Sequence, residues 1–176
     1  HRALSVRERP VLSYLLSDHG KVSYGYQEML AMITIQRADD VFSVDTEQTQ
    51  RYDEAPSLCD CGYCRNYYAP IKGKLPKLDA FLREFGVDMA KPDEISSVET
   101  DDGIDYIRVD YTVCGSVQVV GQGTIHIEDA LLLEAAITDG FAYPNEQTGT
   151  YFTISVMGIE LPWVLDEPFP KSMKSR

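Results

Sequence analysis

No apolar run in this sequence approaches the roughly 20 residues needed to cross a bilayer as a helix, so no segment reads as a membrane span. Basic residues are scarce: 16 Lys and Arg stand against 28 Asp and Glu, a net charge of −12. Binding to phosphate backbones and anionic lipid rests on Lys and Arg, so neither nucleic acid nor a membrane surface is expected as the main partner. Histidine is scarcer still. Only His1, His19 and His126 are present, and any imidazole-based catalytic apparatus must rest on one of them. His126 falls on the polar side of a strand pattern and reads as a solvated strand residue. There is no phosphate-cradling Gly-rich loop ending in Lys-Ser/Thr, no His-Glu-x-x-His and no Gly-x-Ser-x-Gly elbow. Gly121-Gln122-Gly123 resembles the start of a dinucleotide loop, but position 126 is His where the third Gly is required, and the segment reads as a turn between strands. No Asn-x-Ser/Thr sequon and no signal-peptide pattern is visible, and a cytoplasmic location is expected.

What is present is an ordinary folding composition. The 176 residues are 44% hydrophobic and 25% charged, with 12 Gly and 9 Pro. A chain of this length buries enough surface to hold one core without staples, and the expectation is a single α+β domain over residues 1–170 with a polar tail at 171–176. The acidity is concentrated. Residues 101–176 carry twelve acidic and four basic side chains, two thirds of the whole excess. Such a half is either a solubilising surface or a face that steers a basic protein partner into contact.

Periodicity sets the expected elements. Pro10, the stripe Val11, Leu12, Leu15 and Leu16, and Gly20 predict a short helix. Strands are predicted at 22–26, at 29–36 with Met29, Ala31, Ile33 and Ile35 on one face, and at 41–44; residues 45–57 read as a helical turn or loop. Pro76 opens the clearest helix, with Leu78, Phe81, Leu82 and Phe85 at i, i+3, i+4 and i+7 and Gly86 as its stop. The period then changes to two. Over 104–113, Ile107, Val109, Tyr111 and Val113 form the inward face and Tyr106, Arg108, Asp110 and Thr112 the outward one, after a turn at 101–103. Ile125 and Ile127, then Leu131, Leu133, Ala135 and Ile137 (or a pair of helical turns there), then Phe152, Ile154 and Val156 continue the inward set. Together they predict an antiparallel sheet or sandwich of about six to eight strands with two or three helices on one side.

One constellation carries chemistry. Three of the four cysteines lie in Cys59-Asp60-Cys61-Gly62-Tyr63-Cys64-Arg65-Asn66-Tyr67-Tyr68. Cys61 and Cys64 sit one helical turn apart, and Cys59 reaches back from an extended arm, so the three can wrap a soft metal. Zinc held by Cys59, Cys61 and Cys64 then needs a fourth ligand. Candidates are Cys114, His126, His19 and Asp60. Three other readings stay open: reduced thiols packed near a helix start, a disulfide within the trio or to Cys114, and a reactive thiol whose pKa is lowered beside Arg65. Tyr63, Tyr67, Tyr68 and Trp163 either line a groove or pack at a helix–sheet junction with their polar ends in water.

The cysteine run followed by Arg65-Asn66-Tyr67-Tyr68, then Phe81-Leu82, Phe85-Gly86-Val87-Asp88 and Lys91-Pro92-Asp93-Glu94, resembles a family of uncharacterised bacterial proteins. The run Leu161-Pro162-Trp163-Val164-Leu165-Asp166-Glu167-Pro168 is similar to the end of some of its members. The resemblance covers residues 59–94 well, the last strands loosely and the first 58 hardly at all. It implies a bacterial globular domain and brings no catalytic residue with it. Two functions are therefore expected in order. The first is a non-enzymatic acidic binding protein, for instance one of immunity or inhibitor type. The second is a thiol- or metal-dependent enzyme using the cysteine trio.

Overall fold

A computed structural model describes residues 32–54, 58–71, 73–101, 103–142 and 149–169. The expected helix at 10–20, the strand at 22–26, the first three residues of the 29–36 strand and the 171–176 tail lie outside the described residues. The element order is β1 (Met32–Arg37), β2 (Asp40–Asp45), α1 (Thr46–Glu54), α2 (Gly62–Ile71), α3 (Pro76–Glu84), β3 (Glu94–Glu99), β4 (Ile104–Val119), β5 (Ile125–His126), β6 (Glu134–Asp139), β7 (Tyr151–Met157) and β8 (Ile159–Leu161). All eight strands join one antiparallel sheet in the order β1-β2-β4-β7-β6-β5, with β3 and β8 also paired to β4. The α+β expectation holds, and the described strands form a single sheet.

The organising strand is β4. Along one edge it meets β3 through residues 104–110 and β2 through 115–119; along the other it meets β8 and then β7. Between β3 and β2 its backbone faces no strand among the described residues. There the Thr112 N–H donates to Asp93 Oδ2 at 2.7 Å and the Cys114 N–H to Thr49 Oγ1 at 3.0 Å. Side chains from α1 and from the segment before β3 thus satisfy donors that a buried strand cannot leave open.

The core lies on one face. Phe42 and Val44 of β2, Val109, Tyr111 and Val113 of β4, and Phe152, Ile154 and Val156 of β7 turn toward Tyr67 and Ile71 of α2 and Leu78, Phe81 and Leu82 of α3. The predicted α3 stripe is buried as expected. Pro76 occupies the first turn, where its missing N–H costs nothing, and the Lys77 and Leu78 N–H groups are capped from across the chain by Asp129 Oδ2 at 2.7 and 2.8 Å. Gly86 ends the helix at φ +83; a Cβ there would stand 2.5 Å from the Thr46 carbonyl oxygen, so only glycine lets α1 approach.

Several face assignments are corrected; in β4, Ile107, expected inside, is exposed, and Tyr106, Asp110 and Thr112, expected outside, are buried. Ile107 is 49% exposed. Its displacement comes from a β-bulge: Ser96 pairs with Arg108 but Val98 with Asp105, so β4 carries one more residue than β3 across this stretch. The extra residue flips the phase, and the inward set runs Ile104, Tyr106, then Val109, Tyr111, Val113. On the other edge Gly158, at φ +82, makes the matching phase change between Val156 and Ile159. Asp110, expected outside, is 1% exposed. Its side of the sheet is covered as well. Residues 140–142 fold back over it, the Ala142 N–H donating to Thr112 Oγ1 and Thr153 Oγ1 to the Gly140 carbonyl, and Tyr52, Phe141 and Tyr151 pack together there. Arg108, exposed as expected, pairs with Asp110 at 2.7 Å. Leu131 and Ile33, both expected inside, are also exposed, the first in the turn before β6 and the second near the start of β1.

Burial has a titration consequence on α1. Asp53 is buried, and desolvation pushes its carboxyl from 3.8 up to about 7; the Asp88 N–H, donating at 2.9 Å, opposes the rise, and the charge of Asp93 adds to it. A folded-state pKa above the unfolded one stabilises the fold at low pH, and that contribution is lost as pH rises from about 4 to about 7. Asp53→Asn keeps the acceptor for Asp88 without the charge. It is expected to flatten the stability–pH curve across that window, read as urea midpoints at successive pH values. Curves of unchanged slope would show that Asp53 is ionised at no cost.

Candidate metal centre

The cysteine trio sits where the chain enters α2. Cys61 precedes Gly62, the first helical residue, and its carbonyl accepts the first helical bond, from the Arg65 N–H at 3.0 Å. Cys61 is thus the N-cap residue of α2. Cys64 lies one turn on and is buried, whereas Cys59, on the arm before the helix, is exposed, as is Cys61. The three Sγ atoms all lie within 4.8 Å of one another, close enough for one metal ion to touch all three.

Their protons are unevenly held. Burial opposes ionisation of Cys61, but the Cys64 N–H, the Cys64 and Cys59 thiols and the Tyr63 N–H outweigh it, and the pKa is lowered. Cys64 is pushed up to about 12, by burial first and then by its bonds and proximity to Cys61 and Cys59. The pKa of Tyr68 is raised, chiefly by its own burial and then by the proximity of Cys64.

The residues after the cysteines lock this corner in place. Asn66 is fully buried and saturated: its Nδ2 donates to Tyr106 Oη at 3.1 Å and to the Pro162 carbonyl at 3.2 Å, and its Oδ1 accepts from the Val164 N–H at 2.8 Å. Arg65 bridges outward, to the carbonyl and carboxylate of Asp60 and to Glu167 at 2.5 Å. Glu167 in turn accepts the Trp163 indole N–H at its carbonyl, 2.8 Å away. Gly62 lies beneath this arm, where a Cβ would be 3.2 Å from both Trp163 and Glu167. The Cys-Arg-Asn and Leu-Pro-Trp runs, some hundred residues apart, therefore meet at one corner. Asn66 and Glu167 are the supporting residues that sequence reasoning missed. The signal was the shared occurrence of both runs in the resemblance, without any sign of contact between them.

The four aromatic residues pack at the helix–sheet junction. Tyr67 is buried against Tyr106 at 5.1 Å and donates to Tyr111 Oη at 2.6 Å, which donates onward to the Met89 carbonyl; Tyr63 donates to Glu99 at 2.5 Å. Of the candidate fourth ligands, Cys114 does not join the trio. It is buried in β4, its backbone N–H donating to Thr49 Oγ1, and burial raises its pKa to about 11. His126 is exposed on β5, Asp60 is engaged by Arg65, and His19 lies outside the described residues. Among the described residues no fourth His, Cys, Asp or Glu converges on the three sulfurs. With Cys59 and Cys61 at the surface and Cys64 buried, the trio is open on the side of the first two sulfurs.

No helix among the described residues is long and apolar enough to cross a membrane. No family model, curated protein or solved structure matches the chain.

Proposed function

We propose that this is a non-enzymatic, zinc-binding interaction protein of the bacterial cytoplasm, in which the ion ties the arm carrying Cys59 to the start of α2. The observation that carries this reading is the convergence of three sulfurs within 4.8 Å. A tetrahedral zinc with bonds of about 2.3 Å sets its sulfurs about 3.8 Å apart, so the trio closes on the ion by an ångström or less. Soft thiolates select zinc over magnesium or calcium, and free cysteines at the surface suit a reducing compartment. The acidic half, residues 101–176, supplies the field that draws in a basic protein, the kind of contact an immunity or inhibitor protein makes.

Exposure of Cys59 and Cys61 favours one second reading, a metal-dependent enzyme with an open coordination position. Against it, Asp60 and Glu167, the carboxylates at this corner, are both engaged by Arg65.

The test is metal stoichiometry on the reduced, full-length chain. One zinc per chain is expected, with affinity falling on Cys61→Ser and on Cys64→Ser and the melting temperature falling on chelation. A chain that retains no zinc, with all three thiols reacting freely with a thiol reagent, overturns the metal reading. The partner reading is checked by association with a small basic protein, which should weaken steeply with added salt; salt-independent binding would remove the electrostatic argument.

A further inference from the structure

Among the described residues the donor set around the trio is one short of a tetrahedral site. Three thiolates and a zinc ion carry a net charge of −1, and tetrahedral zinc requires a fourth donor. Among the described residues none converges: Cys114 is sequestered in the sheet, and Asp60 and Glu167 are turned to Arg65. The open side lies between exposed Cys59 and Cys61, while Cys64 and Tyr68 close the side toward the helix. The surroundings are also anionic. Asp60 stands between two of the cysteines in the chain, Glu167 reaches Gly62, and Glu99 is tied to Tyr63 beside it; Arg65 pairs with the first two of these carboxylates.

Resting on the zinc reading, we propose that the metal keeps its fourth position exchangeable and fills it with an uncharged imidazole nitrogen, supplied by a histidine of a basic protein partner or by a free small molecule. A thiolate or carboxylate in that position would take the site to −2 among carboxylates. An imidazole leaves the charge unchanged and is a good zinc donor. Zinc sites that keep one position free of protein ligands are the ones that exchange outside ligands. A histidine set among Lys and Arg would also be steered to this acidic corner.

Cobalt(II) replaces zinc in the full-length reduced protein and reports its ligands by colour. Sulfur-to-cobalt charge-transfer bands establish that the trio holds metal, and the d–d bands report the fourth donor. Imidazole is expected to shift the d–d bands saturably, whereas acetate at equal concentration is not. A lysine-rich peptide carrying one histidine identifies a protein source if it gives the same shift at lower concentration than imidazole, and a small-molecule source if it gives none; the same peptide with alanine for histidine should leave the bands in place. Charge-transfer bands with no response to imidazole, an equal response to acetate, or a basal spectrum altered by His19→Ala each overturn the inference while leaving the metal site standing. Absence of charge-transfer bands overturns the metal reading and this inference with it.

Discussion

Val109→Asp is expected to abolish folding, whereas Ile107→Asp, two residues away on the same strand, should change stability by less than about 0.5 kcal/mol. Val109 is fully buried, pairs with Val156 across the sheet and sits in the core face between Tyr106 and Tyr111. An unpaired carboxylate there costs several kcal/mol after relaxation, a large part of the about 5–15 kcal/mol that holds an average domain together. Ile107 stands at the bulge, half in solvent, and a charge at its position keeps its hydration. Far-ultraviolet circular dichroism and urea midpoints of the two variants decide the matter. Equal effects would place both side chains on one face and remove the bulge.

The second large effect belongs to Phe85. Its ring lies 5.2 Å from Phe42, 6.1 Å from Phe152 and 5.2 Å from Phe81, so it joins α3 to the two strands that flank β4. Phe85→Ala removes a fully buried ring and leaves a cavity bounded by other rings that cannot all collapse into it; a loss of about 3–5 kcal/mol is expected. Arg83→Ala, two residues earlier, is the control. Its guanidinium is mostly exposed and pairs with Asp79 at i, i+4, a contact worth about 0.3–0.5 kcal/mol. A urea midpoint that moves no further for Phe85→Ala than for Arg83→Ala would detach α3 from the core.

The part of this fold that was legible in sequence is the part set by local repetition. The α3 stripe, its Pro76 start and its Gly86 stop were readable because a helix shows one face every 3.6 residues and its ends demand particular backbone chemistry. The alternation in β4 and β7 was readable for the same reason, at period two, and the cysteine spacing alone named the three side chains that converge.

Contacts between distant segments decided the rest. Periodicity carries no mark for an added residue, so the bulge at Ile107 was invisible until the pairing of β4 with β3 was known. Nor does alternation say whether a second face meets water; Asp110 is buried because residues 140–142 and the Tyr52–Phe141–Tyr151 cluster lie on its side of the sheet. The exposure of Cys59 and Cys61 has the same origin. Which side of the trio is closed depends on where α2 is held, and Asn66 holds it by bonding residues 162 and 164, almost a hundred positions along the chain. Which three sulfurs come together was thus determined by sequence alone, because spacing within six residues is a local quantity. Which of them face solvent was decided only by tertiary structure, because it depends on which distant segment packs beside that turn.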